Sequence, residues 1–433
     1  MPETTSEFEG RTIPSAAHGL TPGLDSVNRR SAGASWTAHL VVFSLALLVR
    51  LAFQAEIAGF HTPPRDDAEL YDSIAVSLVH GGDYVDGEGF RSRRAPAFPI
   101  LLTGVYGIFG HSWAAARVVQ AILGAAACSI LLAIGVSYLS TGTGLLAALA
   151  CALSPSTIFW SGSLLSEPLC TLLTVASIGA LVRSHGGLRP TVAWSALAAL
   201  TALTRPNMGL VFLLGLAWIL ARGGKRSMQR ALAAIFTFVL VLIPWTIRNH
   251  SVHGRFVPIT TMGGVVLWQG NNPVVASTPE LRGRSLPGDL TREDPDAAVG
   301  EAESDRRFFL KALGFMRERA ADMPGLITWK IVRLWNPFPD LDSALQEWIA
   351  TVTLLPVFGL FGIGLVMAWR NHDRRILPIL IPILAVTLTG AIYWADARIR
   401  APADPLILLV AAYGFESLLL RVRASHRAGR LLL

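Results

Sequence analysis

Ten apolar stretches follow one another between Trp36 and Leu420, and they limit what these 433 residues can fold into more than any other feature. They run at about Trp36–Phe53, Trp113–Ser137, Gly144–Trp160, Leu164–Val182, Thr191–Thr204, Met208–Leu220, Ala231–Ile247, Trp348–Trp369, Ile376–Trp394 and Pro405–Leu420. A helix rises 1.5 Å per residue, so about 20 apolar residues cross a bilayer. With 52% hydrophobic and 15% charged residues, the chain is too apolar for a soluble globular protein of this length. The expected fold is an all-α polytopic membrane protein with about ten transmembrane helices and two long outer loops that carry interfacial helices. A further apolar run, Ile100–Phe109, is too short to span and should lie in the interface or re-enter.

The net charge of +7 does not imply nucleic acid, because the basic residues sit in short clusters between apolar blocks, the pattern of the positive-inside rule. Ten spans from a cytoplasmic start place Arg183/Arg189, Arg222/Lys225/Arg226/Arg230, Arg370/Arg374/Arg375 and Arg421/Arg423/Arg427/Arg430 all inside. The expected division is a disordered cytoplasmic tail over residues 1–35, a membrane domain over 36–421, and a basic cytoplasmic tail over 422–433. The first thirty residues lack the apolar core of a signal peptide. The long outer loops then fall at about 54–112 and 248–347. In the second, GGVVLWQGNNP reads as short strands with Gly and Asn turns, followed by helices at about Ala297–Ala320 and Met323–Trp335. Cys128, Cys151 and Cys170 lie inside apolar blocks with neither metal-ligand nor disulfide spacing.

The stretch Arg65–Pro99 packs acids, arginines and aromatics between apolar blocks, and a charged cluster at a membrane surface needs a reason. Asp66 and Asp67 open a segment in which Tyr71, Ile74, Ala75, Leu78 and Val79 share one helical face, while Glu69, Asp72, Ser73 and Ser77 take the other. Asp66 as N-cap with Glu69 at N3 is the structural alternative to a catalytic role. Arg94, Arg205, Arg248, Arg398 and Arg400 break the inside rule and sit at outer ends of spans, where guanidinium groups suit a phosphate ligand or snorkel to headgroups. Glu167 opens the fourth span, as a functional acid or as one favourable to the helix dipole. His61 and His80 flank the loop helix, and lone histidines are weak metal candidates.

In order along the chain, the Asp66-Asp67 loop with Tyr71, SRRAPAFP, an Arg117-headed second span, LLSEP, TRPN, PWTIRN, a Gly-Asn-Asn-Pro turn and ARIRAPADP resemble the GT-C glycosyltransferases. Within them the pattern is similar to glycosyltransferase family 39, the type of protein mannosyltransferases and lipid A aminoarabinose transferases. The resemblance implies a polyprenyl-phosphate sugar donor and transfer on the outer face of the cytoplasmic membrane, usually inverting, to a lipid, glycan or protein acceptor. It implies Asp66 as base with Asp67 and Glu167 as further acids, and Arg94, Arg205, Arg248 and Arg400 near the donor phosphate, joined by Arg398. Phe98 stands where the family more often has tyrosine. A divalent ion such as Mg or Mn on Asp66 or Asp67 is a candidate cofactor. Competing expectations are a transporter or flippase of lipid-linked sugars, marked by polar residues or broken helices at mid-membrane depth, and a polyprenyl-diphosphate glycan ligase or polymerase.

Overall fold

Serines set the starts of several helices: the hydroxyls of Ser35, Ser112 and Ser140 accept the backbone N–H three residues on. The computed structural model describes residues 34–338 and 343–430; the expected N-terminal tail lies almost wholly outside them. Helix α1 (Trp36–Phe53) enters the first loop, which holds α2 (Asp67–Val79) and α3 (Ala97–Phe109). Then come α4 (Trp113–Ile134), α5 (Thr141–Leu153), α6 (Pro155–Gly162), α7 (Glu167–Arg183), α8 (Leu188–Thr204), α9 (Gly209–Leu220) and α10 (Gly224–His253). The second loop carries α11 (Gly263–Gly270), α12 (Pro273–Ser277), α13 (Gly288–Arg292), α14 (Glu301–Glu318) and α15 (Met323–Leu334). The chain closes with α16 (Ala344–Arg370), α17 (Ile376–Ile392), the short α18 (Ala397–Arg400) and α19 (Asp404–Arg430).

All ten apolar stretches are helical, but they are not ten equal spans. Five helices are individually long and apolar enough to cross a membrane, and a sixth if α5 and α6, bent by 48° at Ser154–Pro155, count as one. Proline at 155 has no N–H to donate into α5, so the helix breaks there. The buried Arg50 of α1 donates to the carbonyls of Ala152 and Cys151 that the break releases, and to the Thr157 hydroxyl. A broken helix with an arginine at it is a feature of the kind expected of the transporter alternative. Helices α7, α8, α9 and α17 are short, and their ends leave room for polar groups.

One apolar core runs through α1, α4, α5, α7, α8, α9, α10, α17 and α19. Small residues bring helices together where lipid offers no hydrophobic drive. A Cβ on Gly414 of α19 would lie 2.6 Å from the Gly364 nitrogen of α16, so this pairing requires glycine. Two ends are distinct. At one, Arg183 meets Ser137, Arg375 reaches the Leu139 carbonyl, Arg421 meets Asn371, and Glu416 accepts from Ser140 and Thr143. The two long loops, with Asp67, Glu167, Arg94, Arg205 and Arg398, gather at the other.

Two local expectations are overturned. GGVVLWQGNNP forms α11 and the start of α12 rather than strands, and no strand occurs among the described residues. Asp305 of α14 accepts the N–H groups of Gly264 and Val265, while Asn272 caps α12 ahead of Pro273. Asp72, assigned by periodicity to the polar face of α2, is buried. It accepts from the Tyr106 hydroxyl at 2.5 Å and the Trp113 indole at 3.1 Å, and pairs with His111 at 3.0 Å, tying α2 to α3 and α4.

Candidate active site

The two long loops dock through Ser92. Its N–H donates to Glu301 at 2.8 Å, its carbonyl accepts from Thr261, and its hydroxyl contacts Asn249, Arg248 and His253. No polar atom of this buried residue is left over, so the chain two residues before Arg94 is held in place. Arg117 fixes the start of the same loop, donating to the carbonyls of Phe60 and Thr62.

Held this way, Arg94 donates to Asp67 at 2.5 Å while its guanidinium stands 5.7 Å from the Tyr71 ring. Arg398 of α18 donates to the other Asp67 oxygen, also at 2.5 Å, and to Glu167. Glu167, wholly buried at the start of α7, also accepts from Arg205, which follows the last residue of α8. The result is a continuous chain, Arg94–Asp67–Arg398–Glu167–Arg205, of three cations against two anions. Five segments meet here, four delivering the charge at or beside a helix end and Arg94 from the loop before α3. Burial raises the Asp67 carboxyl, but the guanidinium groups of Arg94 and Arg398 outweigh it and hold its pKa at about 2. Two buried polar atoms, Glu167 Oε2 and Arg94 Nε, have no partner among the described residues.

Asp66 behaves differently from its neighbour. It occupies the N-cap position of α2 but makes no side-chain cap, so the capping-box reading does not hold. Its backbone sits at φ 53°, ψ −126°, costly for a residue with a Cβ, and its exposed carboxylate has no hydrogen-bond or ion-pair partner among the described residues. Tyr71 is buried edge-on against Phe98 at 5.1 Å, as a wall of the site rather than a free loop residue.

Two of the expected arginines lie outside this chain of charges. Arg248 donates to the carbonyls of Arg91 and Tyr84 and stacks near Tyr84 and Trp245, a loop clamp. Arg400 is buried, paired with Asp404 at 2.9 Å and bonded to the Leu334 carbonyl. Its loss is expected to cost about 3 kcal/mol of stability by leaving the buried Asp404 with the Ser156 hydroxyl alone, and thermal unfolding of Arg400→Ala checks this. No group of three or more His, Cys, Asp or Glu able to hold a metal occurs among the described residues. Both Asp67 oxygens receive guanidinium groups that stay protonated, so a divalent ion does not fit at Asp67 as folded. His80 bonds the Val76 carbonyl of its own helix.

The arrangement of helices is shared with solved structures of a membrane oligosaccharyltransferase. The chain is similar to the archaeal oligosaccharyltransferase AglB from Archaeoglobus fulgidus in complex with an inhibitory peptide and a dolichol-phosphate. The two are 13% identical with a TM-score of 0.56, over 92% of this chain and 52% of that one. The same oligosaccharyltransferase in complex with Zn and sulfate gives 13% identity and a TM-score of 0.57, over 91% and 51%. ArnT from Cupriavidus metallidurans bound to undecaprenyl phosphate aligns over 88% and 78% at 13% identity, but its TM-score of 0.43 carries no weight. The chain spans about half the length of the oligosaccharyltransferase it matches, and at such identities the likeness concerns the fold alone. No family profile and no curated protein matches it.

Proposed function

We propose that the protein transfers a sugar from a polyprenyl-phosphate donor to an acceptor hydroxyl at the outer face of a bacterial cytoplasmic membrane, with inversion at the anomeric carbon. The observation that carries this reading is the unpartnered Asp66 carboxylate beside an arginine-rich charge chain on a fold shared with glycosyltransferases. The acceptor oxygen attacks the anomeric carbon as its proton passes to Asp66. The bond from that carbon to the phosphate oxygen breaks, and polyprenyl phosphate leaves. Arg94, Arg205 and Arg398 stabilise the charge that develops on the leaving phosphate. Asp67 is a poor base with its pKa near 2, and its part is to orient Arg94 and Arg398. Glu167 Oε2 and Arg94 Nε, buried and without a partner among the described residues, are the hydrogen-bonding capacity the site has to spare.

One observation favours transport instead, the break between α5 and α6 with Arg50 at it. The cavity beside Arg50 has a volume of about 20 Å³, room for a water and not for a sugar. Transfer is tested with purified protein, a radiolabelled polyprenyl-phosphate sugar and a membrane acceptor fraction. Label is expected in the acceptor with release of free polyprenyl phosphate. Movement of intact donor across a liposome without cleavage would instead establish the transport reading.

A further inference from the structure

The segment between α17 and Arg398 is gripped by the second outer loop from three sides. Gly270 packs directly on the Tyr393 peptide: a Cβ there would lie 1.8 Å from the Tyr393 oxygen. Asn271 Nδ2 donates to the Ile392 carbonyl at 2.9 Å and, closing α11, to the Leu267 carbonyl at 2.9 Å. Ala395 N–H donates to the Gly283 carbonyl at 2.9 Å. Behind Asn271 stands Lys330 of α15, fully buried, whose Nζ donates to Asn271 Oδ1 at 2.8 Å and to the Ile392 carbonyl at 3.3 Å.

A buried lysine among neutral oxygens is costly, and burial draws its pKa down to about 7. A fold keeps such a group where its hydrogen bonds fix something. What they fix here is the last carbonyl of α17 and, through it, a short run of backbone. Asp396 then caps α18 by accepting the Arg398 N–H at 2.7 Å, and the Arg398 side chain reaches Asp67 and Glu167. Arg398 is the one cation of the charge chain that bridges both acids, so a shift of its backbone loosens both contacts together.

We propose that Asn271 and Lys330 are positioning residues for Arg398, setting through the backbone of residues 392–395 where its guanidinium meets Asp67 and Glu167. The Gly-Asn-Asn-Pro segment thereby joins the second outer loop to the donor side of the site. The role rests on the donor reading of Arg398 for its consequence, and on geometry alone for the clasp itself.

Two readouts on the full-length protein in detergent test it, using Asn271→Ala, Lys330→Met, Arg398→Ala and the double variant Asn271→Ala/Arg398→Ala. Hydrogen–deuterium exchange over 393–400 is expected to rise about tenfold in Asn271→Ala and Lys330→Met, while α8 stays as in the wild type. Affinity for undecaprenyl phosphate is expected to fall about tenfold in Asn271→Ala, and the double variant to bind no more weakly than Arg398→Ala alone. Unchanged exchange over 393–400 overturns the clasp. Additive losses in the double variant overturn the positioning role, as does a rise in exchange spread over the whole chain. If Arg398→Ala binds undecaprenyl phosphate like the wild type, the donor reading fails, and exchange still decides the clasp. Should Asn271→Ala not fold, Lys330→Met carries both measurements.

Discussion

Asp66→Asn is expected to slow sugar transfer by about 10²–10⁴-fold while leaving the protein as stable as the wild type, within about 0.5 kcal/mol. The reason is the setting of the carboxylate, exposed and without a hydrogen bond or ion pair among the described residues, so the fold loses no such contact when it becomes an amide. Asparagine keeps the size and the backbone strain at φ 53° but cannot take a proton from an attacking hydroxyl. Asp67→Asn makes the contrast, since it weakens two ion pairs at once and should lower stability as well as rate. Initial rates with labelled donor, set beside thermal unfolding of both variants, check this. Undiminished transfer by the Asp66 variant would remove it as the base.

Arg398→Ala is the second large effect, and it strikes stability and binding together. The guanidinium bridges Asp67 and the wholly buried Glu167, and its removal leaves Glu167 with Arg205 alone. Breaking a buried pair from one side costs about 3 kcal/mol or more, because the remaining charge has nowhere to go. Combining it with Glu167→Gln is expected to restore much of the stability and none of the donor affinity. That split separates an electrostatic scaffold from a phosphate ligand: recovery of both by the double variant would show that Arg398 serves the fold only.

Much of the site is legible in the sequence because its residues break a local rule. Glu167, Arg94, Arg205 and Arg398 place a charge near the end of an apolar run, and Asp67 opens an amphipathic segment between two such runs, where a membrane protein tolerates charge only for cause. The same reasoning could not separate Arg398 from Arg400, two residues apart. The distinguishing signal was present in Asp404, four residues beyond Arg400 and so on the same helical face, offering it a local partner. Asp72 was misread because periodicity reports which face of α2 is polar, and not that Tyr106, His111 and Trp113 cover that face. Ser92 with Glu301, and Asn271 with Lys330, join segments 209 and 59 residues apart, and no spacing within either segment announces its partner. For the fold, the positions of the ten apolar helices follow from hydropathy. The unequal lengths, and the break at Ser154–Pro155, are fixed by local backbone and packing that hydropathy does not report.

Those unequal lengths act on the lipid as well as on the protein. The apolar run Pro206–Leu220 and helix α17 measure about 22 and 25 Å at 1.5 Å per residue, against about 30 Å of hydrocarbon. Both present exposed leucines, Leu213 and Leu220 on one and Leu377, Leu384 and Leu388 on the other, so lipid tails meet this short flank. A bilayer answers a short apolar face by thinning. The head-group plane is therefore expected to dip along the side of the molecule where Arg205 precedes the first segment and Arg398 lies just beyond the end of the second.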